Sequence, residues 1–263
     1  MPFATPTLAR PSGSSRKTAL LGAVLFDVGG TLLRGRPEVS PRALSLAQLT
    51  SRFGPRDWYG SLLDADLLTE MLVDDPTEPM RQRTLEAVRR WLESRQPRSD
   101  EPLDLDELRR VIVVPGSVSG ELAPGAREAL RWCRAHGLRT VLVSNTLWSA
   151  SEDFQSDLGA LGLEGLIDGV VTSHTVGYRK PHRAIFDAAL AIAGVHARDA
   201  AMVGDEPYQD VFGAQRIGMR AVWLRPNERR AIPVGEPDGF AITPDAQIES
   251  LAELPEVLDS WLR

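Results

Sequence analysis

The chain has 263 residues, 43% of them hydrophobic, enough for one large domain or for a core with a smaller unit inserted. A formal net charge of -6 and a pI near 5.4 argue against a nucleic-acid groove as the main function, although an acidic protein can still hold an anion locally. Cys133 is the only cysteine, so no intrachain disulfide can form and a reducing cytoplasm is the expected compartment; no apolar run is long enough to span a bilayer.

Residues 1–18 are rich in Pro, Ser, Thr and basic side chains and read as a disordered tail; the apolar stretch that follows is too short, and lacks the small-residue cleavage site, for a signal peptide. Ala19 to Phe26 is a buried strand that ends abruptly at Asp27, followed by Val28-Gly29-Gly30-Thr31. A strand that delivers a carboxylate to a tight loop can present it to phosphorus and form an aspartyl phosphate. From Gly35 to Glu121 the apolar spacing is helical. One helix opens at Ser40-Pro41, where Ser caps and Pro fits the first turn, with Leu44, Ala47, Gln48 and Phe53 on its periodic face. Further helices are expected over Met80 to Leu92 and Leu105 to Ile112, separated by loops carrying Asp75-Pro76, Glu78-Pro79 and Gln96-Pro97. Pro124 opens a helix that ends near His136-Gly137.

The remainder alternates. Strands are expected at Thr140 to Val143, Gly169 to Thr172, Ala200 to Val203 and Ala221 to Leu224, and helices at Trp148 to Leu161, Arg183 to Ala193 and Tyr208 to Ile217. Short apolar runs separated by helices of this length specify a parallel sheet with helices on both faces. In such a sheet the strand ends converge at one edge. That edge would gather Asp27, Ser144-Asn145-Thr146, Lys180-Pro181, and Gly204-Asp205 with the later Asp210. Each has an ordinary explanation alone, as a turn, a helix cap or a solvated loop. Their joint occurrence, with complementary roles, points to chemistry.

In these residues the chain resembles the haloacid dehalogenase-like hydrolase superfamily, in its phosphatase-type branch. Asp27-Val28-Gly29-Gly30-Thr31 stands for an Asp-x-Asp-x-Thr motif, Ser144 for the second motif, Lys180 in Gly177-Tyr178-Arg179-Lys180-Pro181 for the third, and Gly204-Asp205 with Asp210 for the fourth. The resemblance implies an α/β fold: a Rossmann-like parallel-sheet core over 19–34 and 122–263, with an inserted α-helical cap domain over 35–121. It implies Asp27 as nucleophile, with Ser144 and Lys180 as further catalytic groups. Gly30, Ser144, Asn145 and Lys180 would bind phosphate. Asp27, the Gly29 carbonyl and Asp205 would hold Mg²⁺, and Thr31 and Asp210 would support the site. The expected partner is a small phosphorylated substrate, with no nucleic acid and no membrane.

Position 29 departs from the pattern. The branch has a second acid there, which protonates the leaving alcohol and then activates water; Gly29 can do neither. Loss of general acid–base catalysis costs about 10²–10⁴-fold, most for poor leaving groups. Three readings stay open: a Mg²⁺-dependent phosphatase or phosphotransferase suited to good leaving groups, a relative acting on a non-monoester bond, and a non-catalytic phosphate- or metal-binding protein. A phosphonatase-like site needs a cap lysine, and residues 35–121 contain none. Arg34, Asp57-Trp58-Tyr59 and Glu206 are lesser candidates for substrate contact, cleft lining and substitute proton donor, beside the ordinary readings of a solvated Arg34, aromatic residues in the core of the helical block and a Glu206 that faces solvent. The histidines at 136, 174, 182 and 196 lack metal-ligand spacing and read as surface groups, and Cys133 as a buried inert thiol.

Overall fold

The structure, a computed structural model, describes residues 21–64, 80–95, 103–225 and 242–263. The expected tail and the loops at Asp75-Pro76, Glu78-Pro79 and Gln96-Pro97 lie outside the described residues. Among the described residues eight strands run in chain order: β1 Ala23–Phe26, β2 Leu33–Gly35, β3 Gly120–Leu122, β4 Arg139–Ser144, β5 Gly169–Thr172, β6 Ala200–Gly204, β7 Arg220–Leu224 and β8 Ala246–Ile248. Six form one parallel sheet in the order β5-β4-β1-β6-β7-β8, while β2 and β3 pair antiparallel as a separate ribbon. From β1 the chain steps outward to β4 and β5 on one side, then returns to fill β6, β7 and β8 on the other. The direction reverses between β1 and β6, the place in an open α/β sheet where ligands collect.

Strand periodicity sorts the core into two layers. Val24 and Phe26 of β1 join Leu130, Leu142, Leu254 and Leu258 on one face. Ala23 and Leu25 join Val141, Ile185, Phe186 and Met202 on the other. Alternate residues of a strand point to opposite faces, so a strand covered by helices on both sides must be apolar throughout, as β1 is. The helices Ala126–Ala135 and Leu254–Leu262 cover the first face, and Arg183–Ala193 the second.

The helical block lies between the two strands of the ribbon. Helices Pro41–Phe53, Tyr59–Leu62, Thr84–Arg95 and Leu105–Ile112 share a cluster of Leu49, Tyr59, Leu62, Val88, Trp91, Leu108 and Ile112. Leu147 and Trp148, from the loop after β4, pack against the same cluster. Buried Arg109 fastens the junction: it donates to Trp148 O at 3.0 Å and pairs with Asp153.

Several expected boundaries move. The first strand forms only from Ala23, although Gly22 already bonds Asp199 O and receives the Arg139 N–H. Ser40 does cap the first helix, accepting from Ala43 N at 3.2 Å, but Ser45 and Leu49 face inward while Ala47 and Gln48 are exposed. The helix expected from Met80 starts at Thr84, because Met80–Gln82 is taken up in pairing with the Tyr178–Arg179 loop. The helix expected over Trp148 to Leu161 spans only Ser151–Asp157: Trp148 is drawn into the block's apolar cluster, and Asp153 turns back to accept the Ala150 N–H. The helix expected over Tyr208 to Ile217 is a wide π-type turn, Pro207–Phe212, continued by Gly213–Gln215. His174 and His182 are half-buried, bonding Leu147 O and capping Ala184 N respectively. Tyr59 is buried in the block's cluster and lines no cleft.

Candidate active site

Asp27 is the first residue beyond β1, and its N–H extends the ladder to Val203 O at 2.9 Å, which fixes where the carboxylate emerges. Lys180 reaches it from the loop before helix Arg183–Ala193. The Nζ donates to Asp27 Oδ1 at 2.5 Å, to Asp210 Oδ1 at 2.6 Å and to Val143 O at 3.0 Å. The ammonium's three N–H groups therefore meet three oxygens, a pattern that suits a compact ammonium and not a planar guanidinium. Lys180 is one of only two lysines among the chain's 30 basic residues. Burial alone would pull its pKa down, but the Asp210 and Asp27 carboxylates outweigh that and hold the ammonium charged.

Asp210 is 1% exposed, and burial pushes its carboxyl up to about 7 against the pull of Lys180. The two shifts oppose one another, since one favours the ion pair and the other a protonated acid. The short contacts on both sides of Nζ favour the charged pair. Asp210 Oδ2 also accepts the Glu206 N–H at 3.1 Å, which folds the carboxylate back under the end of β6. A Cβ on Gly204 would collide with that carboxylate, so the residue before Asp205 has to be glycine.

Lys180→Met is expected to cost about 3–5 kcal/mol of stability, because two buried carboxyls lose their counter-charge. Asp210, already held high, goes higher in the variant. A raised folded-state pKa favours the fold below it and penalises the fold above it, so the deficit should shrink as the pH is lowered. Urea midpoints measured across that range check both parts; a deficit that grows on acidification would overturn the account.

Asp205 stands across the switch point from Asp27. Thr31 Oγ1 donates to Asp205 Oδ1 at 3.2 Å, and Trp223 Nε1 donates to its main-chain O at 3.1 Å. Burial first, then the Asp27 and Glu206 charges, push its carboxyl up to about 6. Gly30 lies against this carboxylate with φ 86°, and a Cβ there would strike it, so both conformation and space demand glycine. Gly29 is exposed, and a Cβ on it would meet nothing within 4 Å. Asp27, Asp205 and Asp210 each offer an oxygen, all within 4.8 Å of one another. An all-oxygen set with unneutralised charge is suited to a hard divalent cation.

Ser144 closes β4, the neighbour of β1, and is buried. The Asn145 side chain turns away to another task. Its Oδ1 accepts the Lys180 N–H at 2.8 Å, while Nδ2 donates to Lys180 O at 3.2 Å and to Gln209 Oε1 at 2.7 Å. Asn145 is thus a clamp on the main chain of Lys180. Gln209, Trp223 and Gln82 were missed in the sequence, since each acts through a contact remote in the chain and belongs to no motif. Cys133 is buried with its thiol pushed up to about 12, which makes it a poor nucleophile.

Comparison with known proteins places the chain in a family. A family model described as haloacid dehalogenase-like hydrolase matches residues 21–218, and the chain belongs to that family. Haloacid dehalogenase-like hydrolase domain-containing protein 3 of Xenopus laevis is 34% identical over 127 residues, 48% of this chain and 50% of that protein. Phosphoserine phosphatase of Thermus thermophilus is 39% identical over 117 residues, 43% and 45% of the two chains. The glyceraldehyde 3-phosphate phosphatase of Pyrococcus furiosus is 32% identical over 136 residues, 52% and 54%. The chain spans about half the length of these curated relatives. Among solved structures, a 2-haloacid dehalogenase from Pseudomonas syringae superposes with TM-score 0.60 at 25% identity, covering 92% of this chain and 100% of that one. A HAD phosphatase from Thermococcus onnurineus gives 0.56 at 26%, covering 90% and 97%. Among the described residues no helix is long and apolar enough to cross a membrane.

Proposed function

We propose that the chain is a Mg²⁺-dependent phosphatase or phosphotransferase of a small phosphorylated metabolite, working through an aspartyl phosphate on Asp27. The observation that carries this reading is the placement of Asp27 at the switch point, with the buried Lys180 ammonium on one of its oxygens and Asp205 opposite. The phosphatase names of several relatives support it.

Phosphoryl transfer spreads negative charge over the transferred group's oxygens, so positioning and electrostatics dominate. Asp27 supplies the attacking oxygen. Lys180 offsets charge on Asp27 and on the incoming phosphoryl group, and the Asn145 clamp fixes the lysine's main chain. The Ser144 hydroxyl donates to a phosphoryl oxygen. Asp27 and Asp205, with the Gly29 carbonyl, would hold Mg²⁺, which supplies positive charge that lets carboxylate and phosphate approach. The helical block would act as a cap, a reading supported by its packing against Leu147 and Trp148 in the loop after β4.

Cation binding should carry a pH signature. Below about 6 the Asp205 carboxyl holds a proton that a cation must displace, so Mg²⁺ affinity should fall as the pH drops, toward about tenfold per unit. Calorimetric titration on either side of that pH checks this, and a flat response removes Asp205 from the ligand set.

The empty space at Gly29 favours a second reading, in which the site binds phosphoryl groups and turns over only those with good leaving groups, or none. Binding of beryllofluoride without phosphate release from p-nitrophenyl phosphate would select it.

A further inference from the structure

A second basic residue, Arg179, lies in the loop that delivers Lys180. Arg179 immediately precedes Lys180, and its main-chain N–H donates to Met80 O at 2.9 Å. Arg81 and Tyr178 pair in an antiparallel bridge, and Gln82 N–H donates to Gly177 O at 2.7 Å. Met80–Gln82 of the helical block therefore runs along the loop that delivers Lys180. Gln82 is buried, and its Nε2 donates to Thr146 O at 2.8 Å, two residues beyond Ser144. Its Oε1 faces the Arg179 guanidinium in a long contact of 3.5 Å. These contacts set the guanidinium in the seam between the Lys180 loop, the Ser144–Thr146 loop and the block.

The seam half-buries Arg179, and burial pulls its pKa down. Among the described residues, no carboxylate lies within ion-pair distance of it. Arg109, at the other junction of block and core, is buried too, but it has Asp153 and Glu152 as partners. A partly desolvated guanidinium without a counter-charge is costly, and its planar fork matches a carboxylate or phosphate in bidentate geometry.

We propose that Arg179 is a specificity-determining residue that binds a second anionic group of the substrate. The site then selects phosphate esters that also carry a carboxylate or a second phosphate. This rests on the phosphatase reading above. Gln82 holds one edge of the fork, and among the described residues no other side-chain partner of the guanidinium stands against the ligand.

The test is calorimetry on the full chain carrying Asp27→Asn, with Mg²⁺ present, so that nothing is consumed. Two matched pairs are compared: 3-phosphoglycerate against glycerol 3-phosphate, and fructose 1,6-bisphosphate against fructose 6-phosphate. In at least one pair the more anionic ligand should bind about ten- to a hundredfold more tightly. The first pair identifies a carboxylate as the second anion, and the second pair a phosphate. Adding Arg179→Gln should abolish the preference and leave the less anionic ligand's affinity within about twofold. Arg179→Lys, which keeps the charge and loses the fork, should lower the preference severalfold, so the test does not depend on the Gln variant folding. Equal binding within both pairs, or a preference that survives Arg179→Gln or is undiminished in Arg179→Lys, overturns the assignment. If no ligand of either pair binds, the phosphoryl pocket itself is refuted, a result distinct from equal binding.

Discussion

Asp27→Asn should reduce Mg²⁺-dependent phosphate release from p-nitrophenyl phosphate by about 10⁴-fold or more, because a neutral amide is too weak a nucleophile to take the phosphoryl group as an acyl phosphate. The replacement is nearly isosteric, and the amide oxygen still accepts from Lys180, so the melting temperature should stay within a few degrees. An intact fold with lost turnover then separates nucleophile from scaffold. Unchanged activity would remove Asp27 from the mechanism. Aryl phosphate is the right substrate because its leaving group departs without a proton, which keeps the missing acid at position 29 out of the measurement.

Gly29→Asp should have the opposite sign. Gly29 carries no left-handed φ, and a Cβ there meets nothing within 4 Å, so a side chain enters without strain. If the site lacks only a proton donor, hydrolysis of an alkyl phosphate should rise by about 10²–10⁴-fold, while an aryl phosphate gains far less. The ratio of the two gains is the informative quantity. Equal gains would indicate a change in binding, and no gain with either substrate would mean that the rest of the machinery is also altered.

Of the residues at the switch point, Asp27, Ser144 and Asp205 were legible in the sequence because each closes or follows an apolar strand, while Lys180, in the loop before helix Arg183–Ala193, and Asp210, inside the Pro207–Phe212 turn, were legible only from the family resemblance. The parallel core was legible too, because short apolar runs alternate with helical segments, but the strand order was not. What a side chain does after leaving the strand end was not. Asn145 sits beside Ser144 in the sequence, yet its amide faces Lys180 and Gln209. Gln82, Trp223 and Gln209 carry no local signal, since their partners lie far along the chain. The β2–β3 ribbon escaped because three residues per strand are too few for a period to show. The helix after β4 was placed too early because Leu147 and Trp148 are apolar for another reason: they complete a cluster belonging to the helical block.

That shared cluster has a mechanical meaning. The stretch that begins with Ser144 continues into Leu147 and Trp148, and Arg109 grips Trp148 O and Asp153 from the far side. Any displacement of the block must either tear out those anchors or drag the Ser144 loop with it. On the function proposed above, admission of a ligand and readiness of that loop to receive it would be one motion, geared through a tryptophan.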